Sequence, residues 1–119
     1  MTLSDYIAAL STHPTSFNFT ATLEVIDTHY AFTPATFKNG AVENLAGTNS
    51  GSCKVFSFAL LHKLSPAQTL NMFAEHYQNV LDDPNGNAHA NIRAFMQDGF
   101  AGLSFDTSAL SPRKYQNPT

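Results

Sequence analysis

The chain has 119 residues, of which 43% are hydrophobic and only 13% are charged, and its net charge is −3 at neutral pH. This composition excludes an intrinsically disordered chain, which combines low hydrophobicity with high net charge. The negative balance also excludes the clustered positive charge of a nucleic-acid-binding surface. The length suits one compact domain, which we expect over residues 1–110, with a flexible C-terminal tail over residues 111–119.

Spacing of apolar residues predicts two helices in the N-terminal part of the chain. The first runs from Leu3 to the His13-Pro14 step, with apolar side chains at helical intervals. The second covers about residues 20–30 and follows Asn18, a residue type that suits an N-cap. Residues 32–37 then favour extended backbone, because they are rich in aromatic residues and threonine.

Two longer helices are predicted in the middle of the chain, beyond the turn signal Asn39-Gly40. The third helix, about residues 51–63, is apolar on most sides, so we expect it at the centre of the core. The Ser65-Pro66 pair predicts the start of a fourth helix, which we expect to continue unbroken to about residue 81.

The C-terminal part is predicted to contain one more helix and a strand. The fifth helix spans residues 89–98, with Ile92, Phe95 and Met96 directed inward. Alternation over residues 100–105 predicts a strand, which we expect to pair with residues 32–37. The predicted fold class is therefore mainly α (α+β): a single compact domain of about five helices with a small two-stranded β element.

Cysteine content and the N-terminal sequence indicate in which cellular compartment the protein is expected. The only cysteine, Cys53, cannot form an internal disulfide, and small secreted domains usually depend on several. The N-terminus lacks the basic start and apolar run of a signal peptide. The longest apolar stretch, residues 55–61, is too short to span a bilayer. We therefore expect a cytoplasmic protein that does not associate with membranes.

The segment around this cysteine is the main candidate for chemistry. Residues 44–54 form a small, polar, glycine-punctuated loop that opens the third helix. Free N–H groups at a helix start can lower the pKa of a thiol. Cys53 is therefore a candidate nucleophile, with His89 as the candidate base among the available histidines. The alternative is that Cys53 is a small buried core residue, as free cysteines usually are.

The same loop is a candidate cradle for an anion. Its spacing, G-x-x-x-G-x-x-K, departs from the nucleotide-binding pattern G-x-x-x-x-G-K-[ST], which excludes a true P-loop. A weaker phosphate or carboxylate site remains, and its candidate ligand-binding residues are Asn49, Gly51, Ser52, Lys54, Asn91 and Arg93. The alternative is that these glycines and asparagines serve only turns and caps, with Arg93 in a structural salt bridge.

No metal or cofactor is expected from the sequence. The five histidines have neither i, i+3 nor i, i+4 spacing, and no carboxylates cluster with them.

Several motifs together are similar to those of a known family. Phe32-Thr33-Pro34, Asn39-Gly40, the run AGTNSGSCKVF over residues 46–56, Pro84-Asn85-Gly86 and the run HANIRAFM over residues 89–96 occur in this order. Over residues 3–105 the chain resembles the HopJ type III effector family. The resemblance implies a single small domain and, through the family name, delivery into host cells by a secretion apparatus. It implies no reaction, substrate or catalytic residue.

Two functional hypotheses of different classes follow. The first is a non-enzymatic binding or effector domain that recognises a host or bacterial protein, or a small anionic ligand; a housekeeping protein that binds a small anion in the cytoplasm is a variant of it. The second is a hydrolase or transferase that depends on Cys53 and His89. The lack of a complete catalytic pattern favours the first hypothesis. Secretion through a type III system is expected from the resemblance alone.

Overall fold

Six α-helices and two small antiparallel sheets make up the part of the chain that the computed structural model describes, residues 2–113. The helices are α1 (Leu3–Thr12), α2 (Phe19–His29), α3 (Ser50–His62), α4 (Pro66–Met72), α5 (Glu75–Asp82) and α6 (Ala90–Asp98), and a 3-10 turn spans Gly99–Gly102. The strands are β1 (Tyr30–Phe32), β2 (Phe37–Asn39), β3 (Val42–Asn44), β4 (Leu103–Phe105) and β5 (Leu110–Pro112). The predicted α+β class is confirmed.

The two sheets join segments that are distant in sequence. In the three-stranded sheet, of order β3-β2-β4, Phe37 lies opposite Asn44 on one side and Phe105 on the other. The second sheet pairs β1 with β5, and Tyr30 lies opposite Pro112. The expected pairing of two strands is therefore correct in part: residues 103–105 pair with 37–39, whereas 30–32 pair with 110–112.

The predicted turn at Asn39-Gly40 is confirmed. It joins β2 to β3 with Asn39 opposite Val42, and Gly40 has a φ of 60°. A side chain at Gly40 would also collide with the Asp98 carboxylate. Glycine is therefore favoured here mainly by the backbone conformation, and any other residue would also have to displace the Asp98 side chain.

Helix α3 lies at the centre of the core, as its apolar sequence predicts. Val55, Phe56, Phe58 and Ala59 have no exposed surface. The Phe56 ring contacts aromatic rings from three other elements, Phe37, Phe73 and Phe95, at centroid distances of 6.2, 5.4 and 5.2 Å. Burial of one such ring contributes about 1.5–3 kcal/mol to folding, so these contacts hold α3 against β2, the end of α4, and α6.

The predicted continuous helix over residues 66–81 is wrong, because the chain turns between α4 and α5. Ala74 has a φ of 52° and a ψ of −121°, and the His76 N–H donates to the Phe73 carbonyl at 3.0 Å. These are the features of a type II′ turn, in which glycine usually occupies the position that Ala74 takes. The Met72 carbonyl accepts a hydrogen bond from the Thr22 hydroxyl at 2.8 Å, so a tertiary contact satisfies it.

The C-terminal predictions hold only in part. Ile92 and Phe95 are buried as expected, but Met96 is 44% exposed, because it lies on the outer face of α6. The predicted tail begins at Ser111, yet Ser111 and Pro112 belong to β5, and residues 114–119 lie outside the described residues. Within residues 2–113 no helix has the length and apolar character needed to cross a bilayer.

Candidate functional site

A cleft of about 360 Å³ lies where the N-termini of α3 and α6 meet. Its walls combine backbone from the two helix starts with apolar side chains and two histidines, and they include no carboxylate. The lining residues are Phe19, Val42, Asn49, Gly51, Ser52, Phe73, His76, His89, Ala90, Asn91 and Ile92. A concave site with a few convergent polar groups is the usual form of a small-molecule site.

The N-terminus of α3 opens into this cleft without a side-chain cap. Its N-cap, Asn49, is left-handed, with φ 51° and ψ 46°, and its side chain does not bond to the first turn. The first backbone N–H bonded within the helix is that of Cys53, which donates to the Asn49 carbonyl at 3.0 Å. Among residues 2–113, the N–H groups of Ser50, Gly51 and Ser52 have no hydrogen-bond partner.

The N-terminus of α6 has the same geometry. His89 is its N-cap, with φ 60° and ψ 53°, and it too makes no side-chain cap. The Ile92 N–H donates to the His89 carbonyl at 3.0 Å, whereas the N–H groups of Ala90 and Asn91 have no partner in the described part of the chain.

Three of the other helix starts within residues 2–113 are capped by side chains, whereas α5, which follows Ala74, has no side-chain cap and carries Glu75 in its first turn. Helices α1 and α4 begin with capping boxes, formed by Thr2 with Asp5 and by Ser65 with Gln68. Asn18 caps α2 with its side-chain oxygen. A helix N-terminus carries roughly half a positive charge. The cleft therefore receives two such partial charges that no acidic or capping side chain offsets.

Buried asparagines hold the two helix starts together. The side-chain amides of Asn44 on β3 and Asn91 on α6 exchange hydrogen bonds at 2.9 and 3.1 Å. The Asn49 amide also donates to the Asn44 side-chain oxygen at 2.7 Å, and Asn39 donates to both oxygens of Asn91. Asn39, Asn44 and Asn91 are at most 6% exposed. Of the predicted ligand-binding residues, Asn49 and Asn91 thus use their side chains to position the helix starts.

Two histidines face each other in the cleft. The ring centroids of His76 and His89 are 4.8 Å apart, and the Phe19 ring lies edge-on to His76, also at 4.8 Å. Burial lowers the pKa of His89 below 6.5, and the positive charges of His76 and Arg93 lower it further. The Nδ1 atom of His76 is buried and has no hydrogen-bond partner within residues 2–113.

Cys53 does not lie in this cleft. It is 2% exposed, and its Sγ points to the Ala35 carbonyl at 3.8 Å. Burial raises the thiol pKa, and the contacts with Ala35 and Ser57 lower it to a smaller extent. The predicted lowering of this pKa is therefore wrong: the Cys53 N–H is already bonded within α3, and the thiol is in the core. The structure does not bring Cys53 and His89 into one site.

Neither predicted cation lines the cleft. The Lys54 ammonium pairs with the Asp27 carboxylate at 2.8 Å. Arg93 donates through Nε to the Ala88 carbonyl at 2.6 Å and through Nη1 to the Pro84 carbonyl at 3.2 Å. Arg93 thus clamps the loop before α6, and within residues 2–113 it forms no salt bridge. Of the predicted set, Asn49, Gly51, Ser52, Asn91 and His89 meet at the cleft, whereas Lys54, Arg93 and Cys53 do not.

The likeness to known proteins extends over most of the chain. A family model described as HopJ type III effector protein matches residues 3–110. A crystal structure described as that of the unknown-function protein VPA0580 shares 44% sequence identity and has a TM-score of 0.91, with 95% of each chain covered. No curated protein is significantly similar to the chain. The match over residues 3–110 confirms the resemblance inferred from the motifs, and the chain belongs to the HopJ type III effector protein family.

Proposed function

We propose that this chain is a non-enzymatic binding domain that holds a small anion, with a phosphate or carboxylate group, in the cleft between α3 and α6. The observation that carries the proposal is the convergence of two uncapped helix N-termini on a cleft without carboxylates. Unpaired N–H groups and the positive end of the helix dipole are the elements with which helix N-termini bind anions.

The strength of this attraction is modest and measurable. One helix N-terminus stabilises a negative charge by about 0.3–1 kcal/mol at an exposed site and by up to about 2 kcal/mol in a partly buried one. Two such termini together supply at most about 4 kcal/mol, so we expect a dissociation constant for inorganic phosphate of about 1 mM or weaker. Apolar walls such as Phe19 and Ile92 add affinity when the anion carries an organic body.

A binding role is supported over a thiol-dependent reaction by the position of Cys53. The thiolate is the nucleophilic form of cysteine, and burial of Cys53 disfavours it. In addition, Cys53 is not among the residues that line the cleft.

The Ser52→Asp variant tests the site directly. Ser52 is the third residue of α3, so an aspartate there places a carboxylate in the first turn, where it competes with a bound anion. Ser52→Asn, of nearly the same size and uncharged, is the matched control. Inorganic phosphate is titrated against each protein, and the backbone amide resonances of residues 50–52 and 90–91 are followed by NMR.

We expect saturable shifts in the wild type and in Ser52→Asn, and their loss in Ser52→Asp. Lys54→Met should retain the shifts, because Lys54 is paired with Asp27 outside the cleft. Equal responses of Ser52→Asp and Ser52→Asn would refute anion binding at this site. Loss of binding in Lys54→Met would instead mean that Lys54 binds the anion, outside the cleft.

Delivery into host cells is a further proposal, and the family description supports it. In that role the protein also binds a host protein. Export of a tagged chain is compared between cells with a functional type III apparatus and cells in which the apparatus is inactivated. Equal amounts outside both kinds of cell would contradict delivery by this route.

A further inference from the structure

Two Asn-Gly steps occur in the chain, and the fold treats them differently. We propose that Asn85, in the turn before α6, is a site of spontaneous deamidation, whereas the fold protects Asn39. An Asn-Gly step is susceptible because glycine lacks a β-carbon, so the backbone can approach the preceding side chain closely. The proposal concerns the loop itself and does not depend on anion binding in the cleft.

The reaction needs only water as a co-reactant. The backbone nitrogen of Gly86 forms a bond to Cγ of Asn85, and the bond from Cγ to Nδ2 breaks. The amide leaves as ammonia and carries away the proton that the Gly86 nitrogen loses. Water then opens the five-membered succinimide at either carbonyl and gives aspartate or isoaspartate. Each product carries a carboxylate, so the loop before α6 gains one negative charge.

Asn85 lies where this attack meets little resistance. It is exposed, and its side chain makes no hydrogen bond to the described residues. The Gly86 N–H donates to the Asp83 carbonyl at 3.1 Å, and Arg93 bonds to the carbonyls of Pro84 and Ala88 on either side, but these bonds leave the exposed Asn85 side chain to rotate. Attack therefore requires only the hydrogen bond of Gly86 within its own turn to break, and exposed turns open at low free-energy cost without unfolding of the domain.

Asn39 is held by burial and by the hydrogen bonds of its side-chain nitrogen. It has no exposed surface, and its Nδ2 donates to the backbone and side-chain oxygens of Asn91 at 2.8 and 3.0 Å. The Gly40 N–H donates to the Gly102 carbonyl at 2.9 Å, which joins two distant segments, whereas the Gly86 N–H is bonded only within its own turn. Attack at Asn39 therefore requires both the asparagine cluster and the β2–β3 hairpin to open.

The surroundings of the two Asn-Gly sequences are otherwise similar. A β-carbon added to Gly86 would collide with the Asp83 carboxylate, and one added to Gly40 would collide with the Asp98 carboxylate. Each glycine thus has a carboxylate against it, so a nearby acidic group does not distinguish the two steps. Burial and hydrogen bonding of the asparagine are what differ.

The test measures amide loss at both positions in the same sample. Folded protein is incubated at mildly alkaline pH, and peptide mapping with tandem mass spectrometry follows the mass gain at Asn85 and Asn39. We expect Asn85 to convert at least about tenfold faster, which corresponds to a barrier difference of about 1.4 kcal/mol. In concentrated urea the deamidation rates at Asn85 and Asn39 should become alike, because only the folded structure makes them differ.

Two variants provide the matched control. The dominant mass gain of the whole protein should disappear in Asn85→Ser and persist in Asn87→Ser, since Asn87 is an exposed asparagine of the same loop followed by alanine. Equal rates at Asn85 and Asn39 in the folded protein would overturn the proposal, and so would a difference that survives in urea.

Discussion

Replacing Ala74 with glycine should stabilise the protein, although an alanine-to-glycine change within a helical segment usually does the opposite. Ala74 stands at the turn between α4 and α5 with a φ of 52° and a ψ of −121°. In that region the β-carbon of an L-residue crowds its own backbone, whereas glycine adopts the conformation without strain.

The magnitude follows from two opposing terms. A residue held in such a region costs about 1–3 kcal/mol, and glycine removes this cost. Glycine also enlarges the conformational freedom of the unfolded chain, which lowers stability by about 0.4–1 kcal/mol. The net expectation for Ala74→Gly is an increase of about 1 kcal/mol in the free energy of unfolding, or about 4 °C in Tm for a domain of this size.

Urea denaturation followed by far-UV circular dichroism measures the change, with Ala8→Gly as the matched control. Ala8 is exposed in the middle of α1, so the same substitution there should cost about 0.5–1 kcal/mol. The two variants should therefore shift the urea midpoint in opposite directions at an unchanged m-value. A decrease in stability for Ala74→Gly similar to that of Ala8→Gly would refute the reasoning.

Three further outcomes are expected. Thr22→Val should lower the free energy of unfolding by about 1–3 kcal/mol in urea titrations, because the Thr22 hydroxyl donates to the Met72 carbonyl; unchanged stability would contradict this role. The Cys53 thiol should react with a disulfide reagent only in denaturant, since burial raises its pKa; fast reaction of the folded protein would place it outside the core. Burial lowers the pKa of His62 and His89 below 6.5, so the unfolded chain binds protons more readily and the urea midpoint should fall as pH drops through 6.5. His89→Asn removes one of these two titrating groups, and asparagine tolerates the left-handed backbone at this position, so this variant should show a weaker pH dependence. An unaltered pH profile would count against the role of His89.

Local signals in the sequence predicted most of the helical framework. Ser65-Pro66 marks the start of α4, and the apolar run behind Gly51 marks the central helix, because capping chemistry and periodicity act within one or two turns. The break at Ala74 carries no such signal. Alanine favours helices, and the Met72 carbonyl beside the turn is bonded to Thr22 from another element, so tertiary contacts compete here with local propensity.

The candidate site was predicted in part for the same reason. Gly51 and Ser52 could be found because a helix start is readable from the sequence. The roles of Asn39 and Asn44 could not, since a buried asparagine has the same sequence appearance as one in a surface turn. Lys54 was predicted among the ligand-binding residues from its place in the loop, but the sequence gives no sign that its ammonium pairs with Asp27, outside the cleft.

The pairing of β1 with β5 has a consequence for the order in which the chain folds. Tyr30 of β1 lies opposite Pro112 of β5, so joining the two strands closes the segment between them, which includes α3 to α6, into one loop. The entropy of so large a closure is lost before the pairing stabilises the fold, and such contacts form slowly. In a chain that leaves the ribosome from its N-terminus, all six helices can form before β5 emerges. The last step of folding is then the capture of a strand by a helical domain that is already assembled.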